Sequence, residues 1–200
     1  PVAGLSNLFR RDPAEKMIRK SLNKPIGTIT AEDRLSVEVL RGMFKVSNLT
    51  PFAELKNLKE LNLGWPDNKI ADLAPLAGLT KLESLSLGGN NKFTDLSPLA
   101  GLTSLKKLFF FINPDGAEVD LAPLGNLVAL TDLNFGRTGP WKPTNMDALG
   151  KLVNLRKITG NHNDLTPFSD LKNLEELKLN GPPVPDLTPL RNLTSLRQID

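Results

Sequence analysis

Hydrophobic and polar positions follow one repeating pattern along most of the chain. The segment LTPFAELKNLKELNL, which begins at Leu49, matches LTPFSDLKNLEELKL, which begins at Leu165, at 11 of 15 positions. Looser copies of the same phrase begin at five further positions, namely Asp72, Asp95, Asp120, Asn145 and Asp186. The chain is therefore built from internal repeats, and one structural unit should describe most of it.

The first leucine of the L-x-x-L-x-L phrase sets the register of the repeat. It falls at seven positions, which are Leu58, Leu82, Leu105, Leu130, Leu155, Leu174 and Leu196. The spacings are 24, 23, 25, 25, 19 and 22 residues, and a weaker first copy can be placed at Val37. A period of this length is typical of a solenoid whose turns each carry one short strand and one short helical segment.

Each copy contains the local signals of both elements. Apolar and polar residues alternate in Leu61-Asn62-Leu63, which predicts a strand with one buried face. The D-L-x-P-L-x-x-L segment then returns the chain, because an aspartate can cap a helical turn and proline suits an early helical position. Since no single copy can bury its own leucines, the copies must stack, and their strands should form a parallel sheet.

This repeat resembles bacterial internalin-type leucine-rich repeats. The phrase Leu87-Gly88-Gly89-Asn90 is similar to the family's L-x-x-N step, in which a ladder of asparagines forms hydrogen bonds inside the turns. Asn90, Asn113 and Asn163 fill that slot here, whereas Pro66, Thr138 and Pro182 replace it. The resemblance implies an α/β solenoid, a leucine-rich-repeat horseshoe with a parallel β-sheet on the concave face and short helical or 3-10 segments on the convex face.

The N-terminal segment predicts a helical cap. Asp12-Pro13-x-Glu15 is a capping box with proline at the first helical position. Ala14, Met17 and Ile18 then follow at helical spacing, which favours an amphipathic helix over the first repeat. The stretch 15–33 also resembles the helical cap that precedes such repeats in secreted bacterial proteins. We divide the chain into a cap, residues 1–35, and leucine-rich repeats, residues 36–200, with about seven copies and a partial last one.

Composition and charge exclude several classes of function. Residues 1–45 carry 9 Lys and Arg against 5 Asp and Glu, whereas residues 46–200 carry 16 against 17. The repeats thus lack the basic stripe of a nucleic-acid-binding surface, and we expect no nucleic-acid partner. The longest apolar run, residues 108–112, is too short for a membrane span, so no membrane insertion is expected. Cysteine is absent, which excludes disulfides and thiolate metal sites.

Residues that could perform chemistry are few. His162 is the single histidine, and it takes a slot that is apolar in other copies, which favours a packing role in its loop. Asp115, Glu118 and Asp120 lack the spacing of a known calcium loop. We therefore predict a protein that is not an enzyme and that has no cofactor and no metal site.

The predicted function is a non-catalytic binding module that recognises a protein, or a glycan, through the concave face and adjoining loops. The alternative is a structural or anchoring spacer domain of a larger surface protein with no dedicated ligand. The family resemblance implies an extracellular or cell-surface location.

An aromatic pair marks the candidate binding site. Phe109 and Phe111 occupy columns of the concave face that are otherwise polar or glycine, so their rings should lie exposed side by side near the middle of the groove. The proposed ligand-binding residues of the concave face are Phe109, Phe111, Lys107, Asp132, Asn134 and Lys157. Trp65 and Trp141 are the candidates in the loops. In an alternative arrangement, residues 113–119 fold back and cover the rings.

The last copy lacks a capping segment in this sequence, which stops at Asp200 in a predicted strand. A solenoid with an uncapped end exposes both its apolar core and an open strand edge. We therefore expect further chain or another subunit to cover this C-terminal edge.

Overall fold

The repeats form a solenoid with one long parallel sheet. The computed structural model describes residues 12–64, 68–112, 116–137, 142–160, 164–180 and 186–200. Eight strands form the main sheet in the order β1-β2-β3-β4-β6-β8-β9-β10. Their bounds are β1 Val39–Arg41, β2 Glu60–Asn62, β3 Ser84–Asn91, β4 Lys107–Ile112, β6 Asp132–Arg137, β8 Lys157–Gly160, β9 Glu176–Leu179 and β10 Gln198–Ile199.

The strands pair in the register that the repeat predicts. Equivalent residues of consecutive copies lie side by side, which is illustrated by Leu85 beside Leu108 and Leu108 beside Leu133. The middle apolar residue of each strand points into the core, and from Leu40 to Leu177 it is at most 1% exposed. Because parallel strands lie about 4.8 Å apart, the seven intervals give a concave face roughly 34 Å long.

Short 3-10 helices return the chain on the opposite side of the solenoid. They span Thr50–Phe52, Ala74–Leu76, Ser97–Leu99, Ala122–Asn126, Met146–Lys151, Thr166–Phe168 and Thr188–Leu190. At five of them an aspartate carboxylate accepts a hydrogen bond of 2.8 Å from the backbone N–H two residues on; these are Asp72, Asp95, Asp120, Asp164 and Asp186. These aspartates therefore satisfy the first N–H of each 3-10 helix, but from the position before the N-cap, which is a leucine.

Two helices precede the first strand. Helix α1, Pro13–Ser21, begins where Asp12 accepts a hydrogen bond of 2.7 Å from the N–H of Ala14. Its apolar face joins the same core as the repeats. Asp12 thus caps the helix, but Glu15 pairs with Arg19 at 3.0 Å and makes no bond to Asp12, so the predicted capping box does not form. Helix α2, Ala31–Leu35, has a complete capping box between Thr30 and Asp33.

Buried asparagines connect neighbouring turns, but at positions other than those predicted. Asn91 donates from Nδ2 to the carbonyls of Leu87 and Phe111, at 2.7 and 3.0 Å. Asn68 is also fully buried, donates to the Leu63 carbonyl and accepts from the N–H of Val46. Asn113 and Asn163 lie outside the described residues. Pro66 and the side chain of Asn90 also lie outside the described part, so the slot assigned to them stays a prediction.

A second, two-stranded parallel sheet was not predicted. Strand β5, Glu118–Asp120, pairs with β7, Lys142–Thr144. Each of the two copies that contain these strands spans 25 residues from its register leucine to the next one, which is more than in most other copies. Since the extra residues fall at the same point of two consecutive turns, their backbones can pair directly.

The C-terminal strand presents an open edge. Ile199 occupies the core register beside Leu177, yet it is 48% exposed, whereas Leu177 is 1% exposed. Leu187, Leu190, Leu193 and Leu196 line a cavity of about 540 Å³ at this end. The division of the chain at residue 35 remains a prediction.

Candidate functional site

Strand β4 carries five consecutive apolar residues whose side chains alternate between the two faces of the sheet. Leu108 and Phe110 are buried, as predicted, and the Phe110 ring lies 6.2 Å from that of Phe93 and 6.1 Å from that of Phe135. Phe109 and Phe111 point to the concave face and are half-buried. Their rings contact each other edge to face, with centroids 4.9 Å apart, a favourable aromatic geometry.

The Phe111 ring rests on a glycine of the next strand. Gly136 lies beside Phe111 in the register of β4 and β6. A Cβ atom at Gly136 would lie 1.9 Å from Cε1 of Phe111, far inside van der Waals contact. The missing side chain therefore provides the space that the ring occupies.

Phe109 lines one wall of a concave groove of about 320 Å³, which we call the Phe109 groove. Its polar lining residues are Ser84, Ser86, Lys107, Asp132, Asn134, Lys157 and Thr159. The structure thus brings together five of the six residues predicted for the concave face. The sixth, Phe111, joins them through its contact with the Phe109 ring.

Several charged side chains of the concave face pair with one another. Arg41 pairs with Glu60 at 2.5 Å, and Lys157 with Glu176 at 2.7 Å. The hydrogen bond to Glu176 and the charge of Asp132 raise the pKa of Lys157 above its ordinary value. The hydrogen bond from Arg41 lowers the pKa of Glu60. The charges of this face therefore form a mixed polar surface and no strip of one sign.

Several predicted residues lie outside the part of the chain that the structure describes. These are Trp65, Trp141 and His162. Among the described residues, no group of three or more His, Cys, Asp or Glu side chains is arranged to hold a metal ion. The same residues include no helix with the length and apolar character that a membrane crossing requires.

Sequence reasoning missed the role of Gly136 and the two buried asparagines. The asparagines do share a signal, because Asn68-Lys-Ile-Ala-Asp72 and Asn91-Lys-Phe-Thr-Asp95 place an asparagine four residues before the capping aspartate. Gly136 has no comparable signal, since glycine also occupies its column in copies without a neighbouring ring.

The comparisons with known proteins agree with this architecture. The family model for leucine-rich repeats in two copies matches residues 56–101. Internalin C2 from Listeria monocytogenes superposes with a TM-score of 0.72 at 23% identity, covering 97% of this chain and 95% of that one. Internalin F from the same organism gives a TM-score of 0.50 at 24% identity, covering 94% and 71%. No curated protein matches the chain in a sequence comparison.

A more distant similarity extends to plants. The leucine-rich-repeat ectodomain of the receptor kinase GASSHO1/SCHENGEN3 from Arabidopsis thaliana gives a TM-score of 0.54 at 19% identity, covering 74% of this chain and 19% of that one. That ectodomain was solved in complex with CASPARIAN STRIP INTEGRITY FACTOR 2. The predicted fold is confirmed: the chain is a leucine-rich-repeat solenoid with the fold of the internalins.

Proposed function

We propose that this chain is a non-catalytic module that binds a protein through its concave face. The observation that carries the proposal is the half-buried pair Phe109 and Phe111 at the centre of an otherwise polar surface. Strong interface positions are commonly aromatic and central, and polar residues around them exclude water. Lys107, Asp132 and Lys157 would provide such a rim.

Similar folds support the same function. The plant receptor ectodomain was solved in complex with CASPARIAN STRIP INTEGRITY FACTOR 2, and the internalins share the fold over most of this chain. By the same resemblance we place the protein outside the cell or on its surface. Trp65 and Trp141 remain candidates for a contribution from the loops.

The proposal is tested by capture and measurement of a partner. The wild-type chain is used for affinity capture from lysates of producing and host cells, and each captured protein is then titrated against purified variants. Phe109→Ala and Phe111→Ala should each weaken binding by about 2 kcal/mol or more, the scale of an interface hot spot. This corresponds to roughly thirtyfold in Kd.

Matched controls separate binding from folding. Lys178→Ala changes a residue of the same column on β9, three strands from Phe109 and outside the groove, and should leave Kd within about twofold. Urea denaturation should give nearly unchanged midpoints for both phenylalanine variants because their rings are only half-buried. Normal binding by both variants would favour the spacer alternative, and unfolding of both would assign the rings to stability.

A further inference from the structure

The carboxamide of Asn134 is an unsatisfied polar group within the Phe109 groove. Its Oδ1 atom is buried and has no hydrogen-bond partner among the described residues, while the residue as a whole is half-buried and lines the groove. Asn134 lies directly beside Phe109 in the register of β4 and β6. A buried acceptor without a partner is destabilising, so this residue lowers the stability of the free protein.

An asparagine in the same column of another strand is satisfied. Asn62 on β2 accepts a hydrogen bond of 3.0 Å from the N–H of Gly64, two residues on. Strand β2 ends at Asn62, whereas β6 continues to Arg137 and pairs Gly136 with Phe111. In β6 the equivalent N–H is that of Gly136, which lies within the paired part of the sheet. The Asn134 carboxamide is therefore left for another partner.

Lys107 is a second group of the groove without a salt-bridge partner, although its charge contributes to lowering the pKa of Glu60 two strands away. It forms no ion pair with any described residue, whereas Lys157, in the same column two strands away, pairs with Glu176 at 2.7 Å. Asp132 is its neighbour in register but accepts a hydrogen bond of 2.7 Å from the Thr131 hydroxyl. The unpaired ammonium group would complement a carboxylate of a bound molecule.

We propose, as an extension of the proposed function, that the Phe109 groove binds an extended segment of the partner protein. A peptide group of that segment pairs with the Asn134 carboxamide, which turns about χ2 to present its oxygen to the groove. An apolar side chain packs on the two rings, and a carboxylate lies at Lys107. An extended segment suits this role because its N–H and C=O groups are free, whereas a helix uses them internally. The carboxamide has both a donor and an acceptor for such a group.

A substitution that removes the Asn134 carboxamide should weaken binding without lowering stability. Asn134→Leu replaces the unsatisfied amide with an apolar group of similar shape, so the unfolding midpoint should stay equal or rise. Binding should nevertheless fall about tenfold or more. Asn62→Leu is the matched control, because it makes the same change in the same column outside the groove, at a carboxamide that has a hydrogen-bond partner. It should lower the unfolding midpoint and leave binding unchanged.

The probe is a phage-displayed library of random peptides of about 12 residues, which span roughly 40 Å when extended. Enriched peptides should carry an apolar residue close to Asp or Glu, and each is titrated as a synthetic peptide against the wild type and the variants. Replacing the peptide carboxylate by its amide should weaken binding to the wild type several-fold, but not binding to Lys107→Met. A panel of oligosaccharides is screened in parallel.

The outcomes distinguish this inference from the proposed function. Peptides that need Phe109 and Phe111 but bind Asn134→Leu and Lys107→Met normally would overturn the inference and leave the proposed function intact. Binders that ignore both rings would contradict the proposed function itself. Enrichment of no peptide, oligosaccharide binding alone, or a lower unfolding midpoint for Asn134→Leu would also overturn the inference.

Discussion

At the scale of single residues, position 136 requires glycine because of a neighbouring ring and not because of its own backbone conformation. It is not among the described glycines with positive φ, which are Gly27, Gly89 and Gly116. The Phe111 ring occupies the place of its side chain. Gly136→Ala should therefore turn the ring away while the fold persists, since the clash involves the far end of a side chain that can rotate into solvent.

The expected result for Gly136→Ala is a loss of stability below about 1 kcal/mol together with binding as weak as that of Phe111→Ala. NMR with labelled phenylalanine should show the loss of proximity between the Phe109 and Phe111 rings. Gly101→Ala is the control because the nearest atom to its Cβ, the Ala77 carbonyl oxygen, lies 4.0 Å away. Persistence of the ring contact in Gly136→Ala would contradict this account.

Residue-scale prediction from sequence was good where a pattern repeats and poor where it depends on loop length. The buried leucines and the five capping aspartates recur at fixed offsets, so their roles could be derived from one copy. The buried asparagine lies five residues after Leu63 in one turn and four after Leu87 in the next. Counting from the strand therefore selected Asn90, and counting back from the capping aspartate would have selected Asn91.

At the scale of elements, the 3-10 helices depend on charged caps. Hydrogen bonds from the side chain and then the backbone N–H of Ser97 lower the pKa of Asp95, and Thr166 and Thr188 act likewise on Asp164 and Asp186. A carboxyl whose pKa is lower in the folded state stabilises the fold above its unfolded value of about 3.9. This contribution is lost as the pH falls through the folded pKa.

The Asp95 cap can be tested with two substitutions followed by urea denaturation from pH 7 to pH 2.5. Asp95→Ala should cost about 1 kcal/mol at pH 7 because it removes the cap. Asp95→Asn keeps an acceptor and should cost less. The difference between wild type and the Asn variant should shrink below pH 4, where the wild-type carboxyl becomes protonated. A difference that is constant over the whole pH range would exclude the charged cap.

The main strands were predicted from their alternation of apolar and polar residues, whereas β5 and β7 were not. Alternation identifies a strand only when one face is buried and the other is open to solvent. Strands β5 and β7 have three residues each, with proline at the centre of β7. Their pairing results from the equal length of two neighbouring turns. It can be predicted only by comparing the lengths of the two copies and not from the sequence of either copy alone.

At the scale of the whole molecule, stability should come from contacts between neighbouring turns. Each copy buries its leucines against the copies on both sides, and one continuous core runs from α1 to Leu193. In such a quasi-one-dimensional structure, the cost of a core substitution depends on how many neighbouring turns the residue touches.

Leu105 and Leu196 allow a direct test because they occupy the same position of the repeat. Leu105 is fully buried between two turns, whereas Leu196 is only partly buried and has a described turn on one side alone. Leu105→Ala should cost about 2–5 kcal/mol in unfolding free energy, the range for a buried leucine. Leu196→Ala should cost less than half as much, because its side chain has fewer partners to lose. Urea denaturation at several protein concentrations measures both, and light scattering reports self-association. Equal costs for the two variants would show that Leu196 is covered in solution, and a concentration-dependent cost would identify another copy of the chain as the cover.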